Sequence, residues 1–342
     1  MKKDELKKAL LELSKEERAS LLQEVEKESG TYYTVLKNRR NKLDNKQGHC
    51  PHCGSYKYTK HGTDKGSKRY RCKECKRTFT EYTGTWLANI HRKELADEYI
   101  KLMREEKSLD RIRDHLKINK KTAFDWRHKI LSGIEKSKEK PFQGITESDE
   151  TFFLHSEKGV KYLSRPPRKR GGNAQKRGIS NEQVAVIVTT DRVNNLNMNV
   201  ARMGRVKKSD IEKAIGDSVS EQTILCSDGH VSYKGFAVDK GIEHHTIRSN
   251  VKEHVKNKIY HLQHVNSIDS RLKKWIESRF LGVSTKYLQK YLAWFGVKEE
   301  LKESINFVEE FIGYSLEDTN TWKRFKAISE NYKEFIQEST QN

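Results

Sequence analysis

Cys50-Pro-His-Cys53 and Cys72-Lys-Glu-Cys75 place two thiol pairs on either side of a short loop, residues 54–71. Each Cys-x-x-Cys turns into a knuckle that presents two thiolates. Two knuckles close a tetrahedral S₄ site for Zn²⁺. Only one further cysteine, Cys226, is present, and the chain opens Met-Lys-Lys-Asp-Glu without an apolar leader, so a reducing compartment and metal binding are expected rather than disulfides. The loop carries Tyr56, Tyr58, Lys60, His61, Lys65, Lys68, Arg69 and Tyr70, a basic and aromatic surface suited to nucleic acid. A purely structural zinc clip is the alternative.

A second chemistry is offered by Asp149, within Glu147-Ser-Asp-Glu-Thr151, and Asp228, within Ser227-Asp-Gly-His230. Two carboxylates meeting at one rim make a hard-oxygen site for Mg²⁺. A pair of such ions about 3.5–4 Å apart activates a nucleophile and stabilises a leaving oxygen in phosphoryl transfer. Alone, each aspartate is equally at home as a strand-edge charge or a turn residue. Whether they meet depends on the fold.

The elements that must position them are legible as strands. Residues 142–154 read as a first strand with Asp149 in its middle, and 184–190 as an apolar run fit for a central strand. Residues 197–201 alternate and pair with it through a turn at 191–195. A helix over 208–215 leads to a strand at 223–229 that ends at Asp228, and 244–248 forms a shorter fifth strand. If the first and fourth strands are neighbours, the two carboxylates share a rim. A helix rich in Lys and Arg follows over about 264–278. The histidines around it (His244, His245, His254, His261 and His264) show no tight ligand spacing.

Upstream, residues 1 to about 30 read as a charged amphipathic helix with Leu6, Leu11, Leu13, Leu21, Leu22 and Val25 as its stripe, and 31–47 as a basic polar linker. In the helical stretch at about 91–137, Leu109, Ile112 and Leu116 share one face, and Asn119 is placed to cap a second helix. This helix-turn-helix pattern would offer Lys120, Lys121, Thr122, Arg127, His128 and Lys129 to a major groove, with a plain scaffold as the alternative. Between the first two strands, residues 158–177 contain no acid and include Arg168, Lys169, Arg170, Lys176 and Arg177, with Pro166-Pro167 and Gly171-Gly172 opposing regular structure. Such a loop beside a catalytic rim is expected to clamp DNA phosphates. The composition agrees. With 68 Lys+Arg against 48 Asp+Glu, the formal charge of +20 favours a polyanionic partner. No apolar run is long enough to span a bilayer.

Zinc ribbon, helical segment, Glu147-Ser-Asp149-Glu-Thr, Ser227-Asp228-Gly-His-x-x-Tyr-Lys-Gly and His264-Val-Asn266-Ser…Lys273, in that order, resemble the bacterial insertion-sequence transposases that join an N-terminal zinc ribbon to a DDE-type catalytic domain. The likeness spans about residues 45–295. It implies a ribonuclease-H-like core, divalent-metal catalysis, and cleavage and joining of DNA at element ends. It also implies that Asp149 and Asp228 are the first two metal ligands. The family's third position is Glu, Asn or another polar residue followed seven residues later by Lys, which Asn266 and Lys273 match. Seven residues bring two helix side chains within roughly 20° of alignment. Asp269, close to the same face, is the rival for the third place.

The resulting expectation is an α/β protein with a ribonuclease-H-like mixed-sheet core, preceded by a zinc ribbon and a helix-turn-helix-like segment. Its parts are an N-terminal helix and linker (1–47), the ribbon (48–84), the helical DNA-binding segment (85–140), the catalytic domain (141–298) and a helical tail (299–342). It would be a cytoplasmic, nucleoid-associated DNA transposase with structural Zn²⁺ and catalytic Mg²⁺ or Mn²⁺, binding double-stranded DNA as a homodimer or higher oligomer. The alternatives are a catalytically inactive DNA-binding protein of transposase ancestry and a zinc-ribbon nuclease or RNA-binding factor without strand transfer.

Overall fold

The computed structural model describes residues 3–18, 21, 30–64, 67–135, 141–167, 169, 172–248 and 254–340. Leu22, Val25, Lys65, Arg168 and Arg170 therefore lie outside the described residues. The N-terminal stripe does not form one continuous helix. Helix α1 (Lys3–Glu12) stops before Ser14, where a reciprocal cap starts a new turn. The Ser14 hydroxyl accepts from the Glu17 N–H at 3.1 Å, and the Glu17 carboxylate accepts from the Ser14 N–H at 3.0 Å.

The expected linker at 31–47 is instead helix α2 (Thr31–Asp44), burying Leu36 and Leu43. Its cap comes from elsewhere in the chain, because the Asp97 carboxylate accepts from the backbone N–H groups of Thr31 and Tyr32. The ribbon follows as an antiparallel sheet of β1 (Tyr58–Asp64), β2 (Ser67–Cys72) and β3 (Thr78–Phe79). Tyr58, Tyr70 and Phe79 pack with Leu43 and the buried cysteines as a small core. Their rings lie 5.5–5.8 Å apart.

Three helices come next: α3 (Ala96–Arg104), α4 (Leu109–Leu116) and α5 (Lys120–Ile134). Ser108 caps α4 through the Arg111 N–H, and Asn119 Oδ1 accepts from the Lys121 N–H at 2.8 Å at the head of α5. The inward arc of α5 runs Ala123, Trp126, Arg127, Ile130, Leu131 and Ile134, a 3.6-residue period. That arc takes up part of the groove-facing set expected above. Arg127 is 2% exposed and donates to the Lys107 carbonyl at 2.8 Å. His128 is 1% exposed and packs on Phe124. Lys129 stands over the Trp322 ring at 4.5 Å. Arg127 and His128 are thus interior residues, not groove contacts. Lys120 and Lys121 are exposed and Thr122 is half-buried.

A five-stranded sheet then follows. Its strands are β4 (Ile145–Leu154), β5 (Gln183–Asp191), β6 (Leu196–Met203), β7 (Ile224–Ser227) and β8 (Glu243–Thr246), in the spatial order β6-β5-β4-β7-β8. β4, β5 and β6 form an antiparallel meander, whereas β7 runs parallel to β4 and β8 parallel to β7. This is the ribonuclease-H-like arrangement. Helices α6 (Lys208–Ile215) and α7 (Val231–Lys240) cover one face, in a core with Ala185, Ile187, Leu225, Tyr233 and Phe236. The alternate β5 residues Val184, Val186 and Val188 are also buried and belong to the opposite face, where α8 (Gln263–Phe280) and α9 (Leu288–Glu300) pack. β5 is therefore covered on both faces, which is why it reads as an unbroken apolar run. A small hairpin, β9 (Val255–Lys256) and β10 (Tyr260–His261), leads into α8.

The chain resolves into two compact units, 1–133 with 304–322, and 134–303 with 323–342. In the first, α10 (Phe307–Glu317) packs on α2 and α3, and the buried Trp86 indole donates to Ser315 Oγ at 2.8 Å. In the second, α11 (Thr321–Thr340) reaches the sheet through the Met203 N–H on Ser339 Oγ, and Tyr332 lies 2.9 Å from His155 Nε2. Among the described residues no helix is long and apolar enough to cross a membrane.

Candidate active site and metal centres

Parallel pairing with β7 covers β4 only from Ile145 to Glu147, leaving the next residues of β4 with an open edge. Asp228 follows the last residue of β7 at that edge. The turn that presents it requires glycine. Gly229 has φ +87°, and a Cβ there would lie 2.3 Å from Thr246 Cγ2. Asp228 Oδ1 then accepts from the His230 N–H at 2.9 Å, at the head of α7. As a result, carboxylate oxygens of Asp149, Glu150 and Asp228 lie within 4.8 Å of one another. Glu150 was missed by sequence reasoning, since strand alternation assigns it to the face opposite Asp149. Its adjacency to Asp149 in an acidic strand was the available signal.

Electrostatics mark the same place. Burial, and then the charge of Asp228, push Asp149 up to about 6, against the pull of the Glu150 N–H and Lys273. Burial, then Asp149 and Asp228, push Glu150 up to about 8, against the pull of the Tyr233 hydroxyl on α7. Helix α8 supplies the rest. Asp269 is 9% exposed, and burial followed by the Asp149 charge pushes it up to about 8 against Lys273. Asn266 is exposed one turn earlier on α8, and Lys273 is half-buried one turn later.

These residues fit a divalent cation. Glu150 Oε1 and Asp269 Oδ1 are buried without a hydrogen-bond partner among the described residues. Three clustered carboxylates cannot ionise together without a counter-charge, and an all-oxygen donor set suits Mg²⁺ or Mn²⁺. The four cysteines fit Zn²⁺ equally well. Their sulfurs lie within 4.8 Å of one another, with Cys50 to Cys75 at 3.7 Å and Cys53 to Cys72 at 3.6 Å. A tetrahedron with Zn–S of about 2.3 Å has edges of about 3.8 Å. In the loop after β4, Lys169, Lys176 and Arg177 are exposed.

A ribonuclease-H-like sheet with clustered acids where β4 meets β7 defines an α/β domain whose carboxylates could hold a divalent cation at one edge. Residues 141–299, a little under half of the chain, match the ISXO2-like transposase domain family. The chain is also similar to an uncharacterized protein in transposable element ISH50 of Halobacterium salinarum, 24% identical over 268 residues that cover 74% of this chain and 85% of that protein. A chain from the crystal structure of a pre-cleavage Mos1 transpososome aligns over 69% of this chain and 78% of its own length, at 10% identity and a TM-score of 0.24, a likeness too slight to weigh on the fold.

Proposed function

We propose that this protein is a DNA transposase that binds the terminal inverted repeats of an insertion sequence and catalyses metal-dependent end cleavage and strand transfer. One observation carries the reading. Asp149 and Asp228, far apart in sequence, bring their carboxylates together at the open edge of β4, inside the transposase-matched segment. Asp149 and Asp228 would hold Mg²⁺ or Mn²⁺, which when bound polarises a phosphodiester and lowers the pKa of an attacking hydroxyl. In the first step water attacks phosphorus at the element end, the bond to the 3′ oxygen breaks, and a 3′-hydroxyl is released. In the second, that hydroxyl attacks a target phosphodiester and displaces the target's 3′ oxygen.

The residues around the pair have separate tasks. Asn266 offers a neutral amide oxygen as the third ligand, and Lys273 meets a DNA phosphate. Asp269, buried against Asp149, is the second candidate for the third place. Glu150 places a third carboxyl group beside the pair. Arg168, Lys169, Arg170, Lys176 and Arg177 grip phosphates, while the zinc ribbon and the exposed Lys120 and Lys121 contact the repeats. Two ends must be held together, which calls for a homodimer or higher oligomer on DNA. A cytoplasmic, nucleoid-associated protein follows from that substrate.

The test is strand transfer in Mg²⁺ or Mn²⁺ with DNA ends taken from the gene's own flanks, comparing wild type with Asp149→Ala and Asp228→Ala. Joined products from wild type alone, with end binding retained in both variants, support the reading. Binding without joining in every protein would favour a catalytically inactive DNA-binding relative. Asn266→Ala beside Asp269→Asn then assigns the third ligand, the loss of joining falling on whichever residue holds the ion.

A further inference from the structure

Glu147, two residues before Asp149 on β4, is 1% exposed yet touches no metal candidate of the site above. Its Oε2 accepts from the backbone N–H groups of His264 at 2.9 Å and Val265 at 3.1 Å. Those donors belong to the first turn of α8, which has no intrahelical acceptor for them. Its Oε1 lies 2.7 Å from His264 Nδ1, 3.3 Å from His261 Nδ1 and 3.0 Å from Arg192 Nη1. One carboxylate and two imidazoles are a transition-metal donor set. Here, however, Arg192 Nη1 also stands 3.0 Å from His261 Nε2 and 2.6 Å from His264 Nδ1, so a guanidinium already supplies the positive charge. A further bond from Arg192 Nη2 to the Ile259 carbonyl at 3.0 Å fixes that guanidinium.

The far end of α8 is held from the loop that follows β4. Lys158, just beyond β4, donates from Nζ to the carbonyls of Phe280 at 2.6 Å and Gly282 at 3.0 Å. These carbonyls lie where the helix leaves acceptors unsatisfied, next to Leu281 at φ +52°. A carboxylate at the N-terminus and an ammonium at the C-terminus both match the sign of the helix dipole. The helix is 18 residues long, about 27 Å; one grip on it leaves from the strand that carries Asp149 and the other from the loop that follows that strand.

We propose that Glu147 and Lys158 are positioning residues that clamp α8 at its two ends and so set Asn266, Asp269 and Lys273 in register with Asp149. The inference rests on the phosphoryl-transfer reading for its catalytic part, and on the contacts alone for the clamp. Arg192 acts as the built-in cation of the N-terminal grip. A misplacement of about 1 Å at a reacting centre costs on the order of 100-fold in rate, so a slack helix would show in joining long before it showed in folding.

The experiment uses full-length, zinc-loaded protein with Glu147→Gln, Glu147→Ala, Lys158→Met, Lys273→Ala and the Glu147→Gln/Lys273→Ala double variant. Glu147→Gln should keep end affinity within about twofold while single-turnover joining falls by roughly 10–100-fold. The double variant should lose little more than Lys273→Ala alone, since both changes act through one helix. Additive losses, or affinity falling in step with rate, would overturn the positioning role. Lys158→Met should leave the salt dependence of DNA affinity unchanged, and a slope reduced by about one contact would put Lys158 on a phosphate instead. Hydrogen exchange decides the clamp without any activity. Amides at 263–268 in Glu147→Ala and at 276–282 in Lys158→Met should exchange faster, with 183–191 unchanged, and no change at either end would sink it. A wild type that never joins ends would sink the transposition reading and leave exchange to judge the clamp. A second bound zinc equivalent that is lost in His261→Ala would overturn the role given to Arg192.

Discussion

Glu150 shows how much charge the edge of β4 is asked to hold. In an unfolded chain its carboxyl ionises near 4.5, whereas in the fold burial and two neighbouring aspartates push it up to about 8. Between those values the folded protein binds more protons than the unfolded chain, so stability falls as pH rises through that window and flattens above it. Replacing the acid by its neutral isostere removes the loss. Glu150→Gln is expected to raise the melting temperature at pH 8 without added divalent cation, by the equivalent of about 2 kcal/mol, and to do little at pH 5. Added Mg²⁺ should shrink the difference. A gain no larger at pH 8 than at pH 5 would separate Glu150 from the aspartates. Asp149 and Asp228 were legible as candidates because each ends or centres a recognisable strand. Glu150 was not, because alternation along an ideal strand sends it away from Asp149, and only the open edge beyond Glu147 lets both reach Asp228. Glu147 was equally hidden, since its partners His261, His264 and Arg192 are brought to it by the fold rather than by sequence spacing.

Elements differed in legibility for a physical reason. β5 announces itself through a run of buried β-branched residues, and α6 through its amphipathic period. Helix α2 carries only Leu36 and Leu43 as buried residues, and its cap is Asp97, distant in sequence, so nothing local distinguishes it from a polar linker. Helix α7 is hidden in the sequence for a related reason. Gly235 sits in its middle and lowers its intrinsic propensity, and packing by Tyr233, Phe236 and Ala237 makes up the difference. The helix-turn-helix pattern shows its start at Asn119 and keeps Lys120 and Lys121 exposed, but Arg127 and His128 leave the expected outer face because the unit buries them. The two faces of α5 should therefore respond differently. Arg127→Ala is expected to lower stability by about 2 kcal/mol through a lost buried hydrogen bond, with end affinity per folded molecule unchanged. Lys120→Ala/Lys121→Ala should leave melting nearly untouched and weaken end binding. Fluorescence anisotropy beside thermal melts separates the two, and a reversed pattern would return Arg127 to the interface.

Across the whole molecule the excess of positive charge is the feature that most constrains its partner. A chain at +20 will associate with any polyanion at low salt, so affinity for DNA alone says little about function. The informative quantity is the salt slope. Neutralising Lys169, Lys176 and Arg177 together is expected to lower the slope of log affinity against log salt by about 2–3, near 0.9 for each phosphate contact removed. An unchanged slope in a titration from low to physiological salt would take that loop off the DNA.

The order of strands in the sheet also has a temporal side. β4, β5 and β6 are consecutive neighbours and can zip as a meander while the chain is still being made, which shelters the apolar β5 early. Asp228 arrives only with β7, after the α6 crossover, and the residues of α8 arrive later still. A ribosome-bound chain that ends before β7 holds Asp149 with no partner for it, and one that ends before α8 lacks Lys273. On the proposed reading, strand order itself would keep the site incomplete in every nascent chain until the domain is almost entirely synthesised.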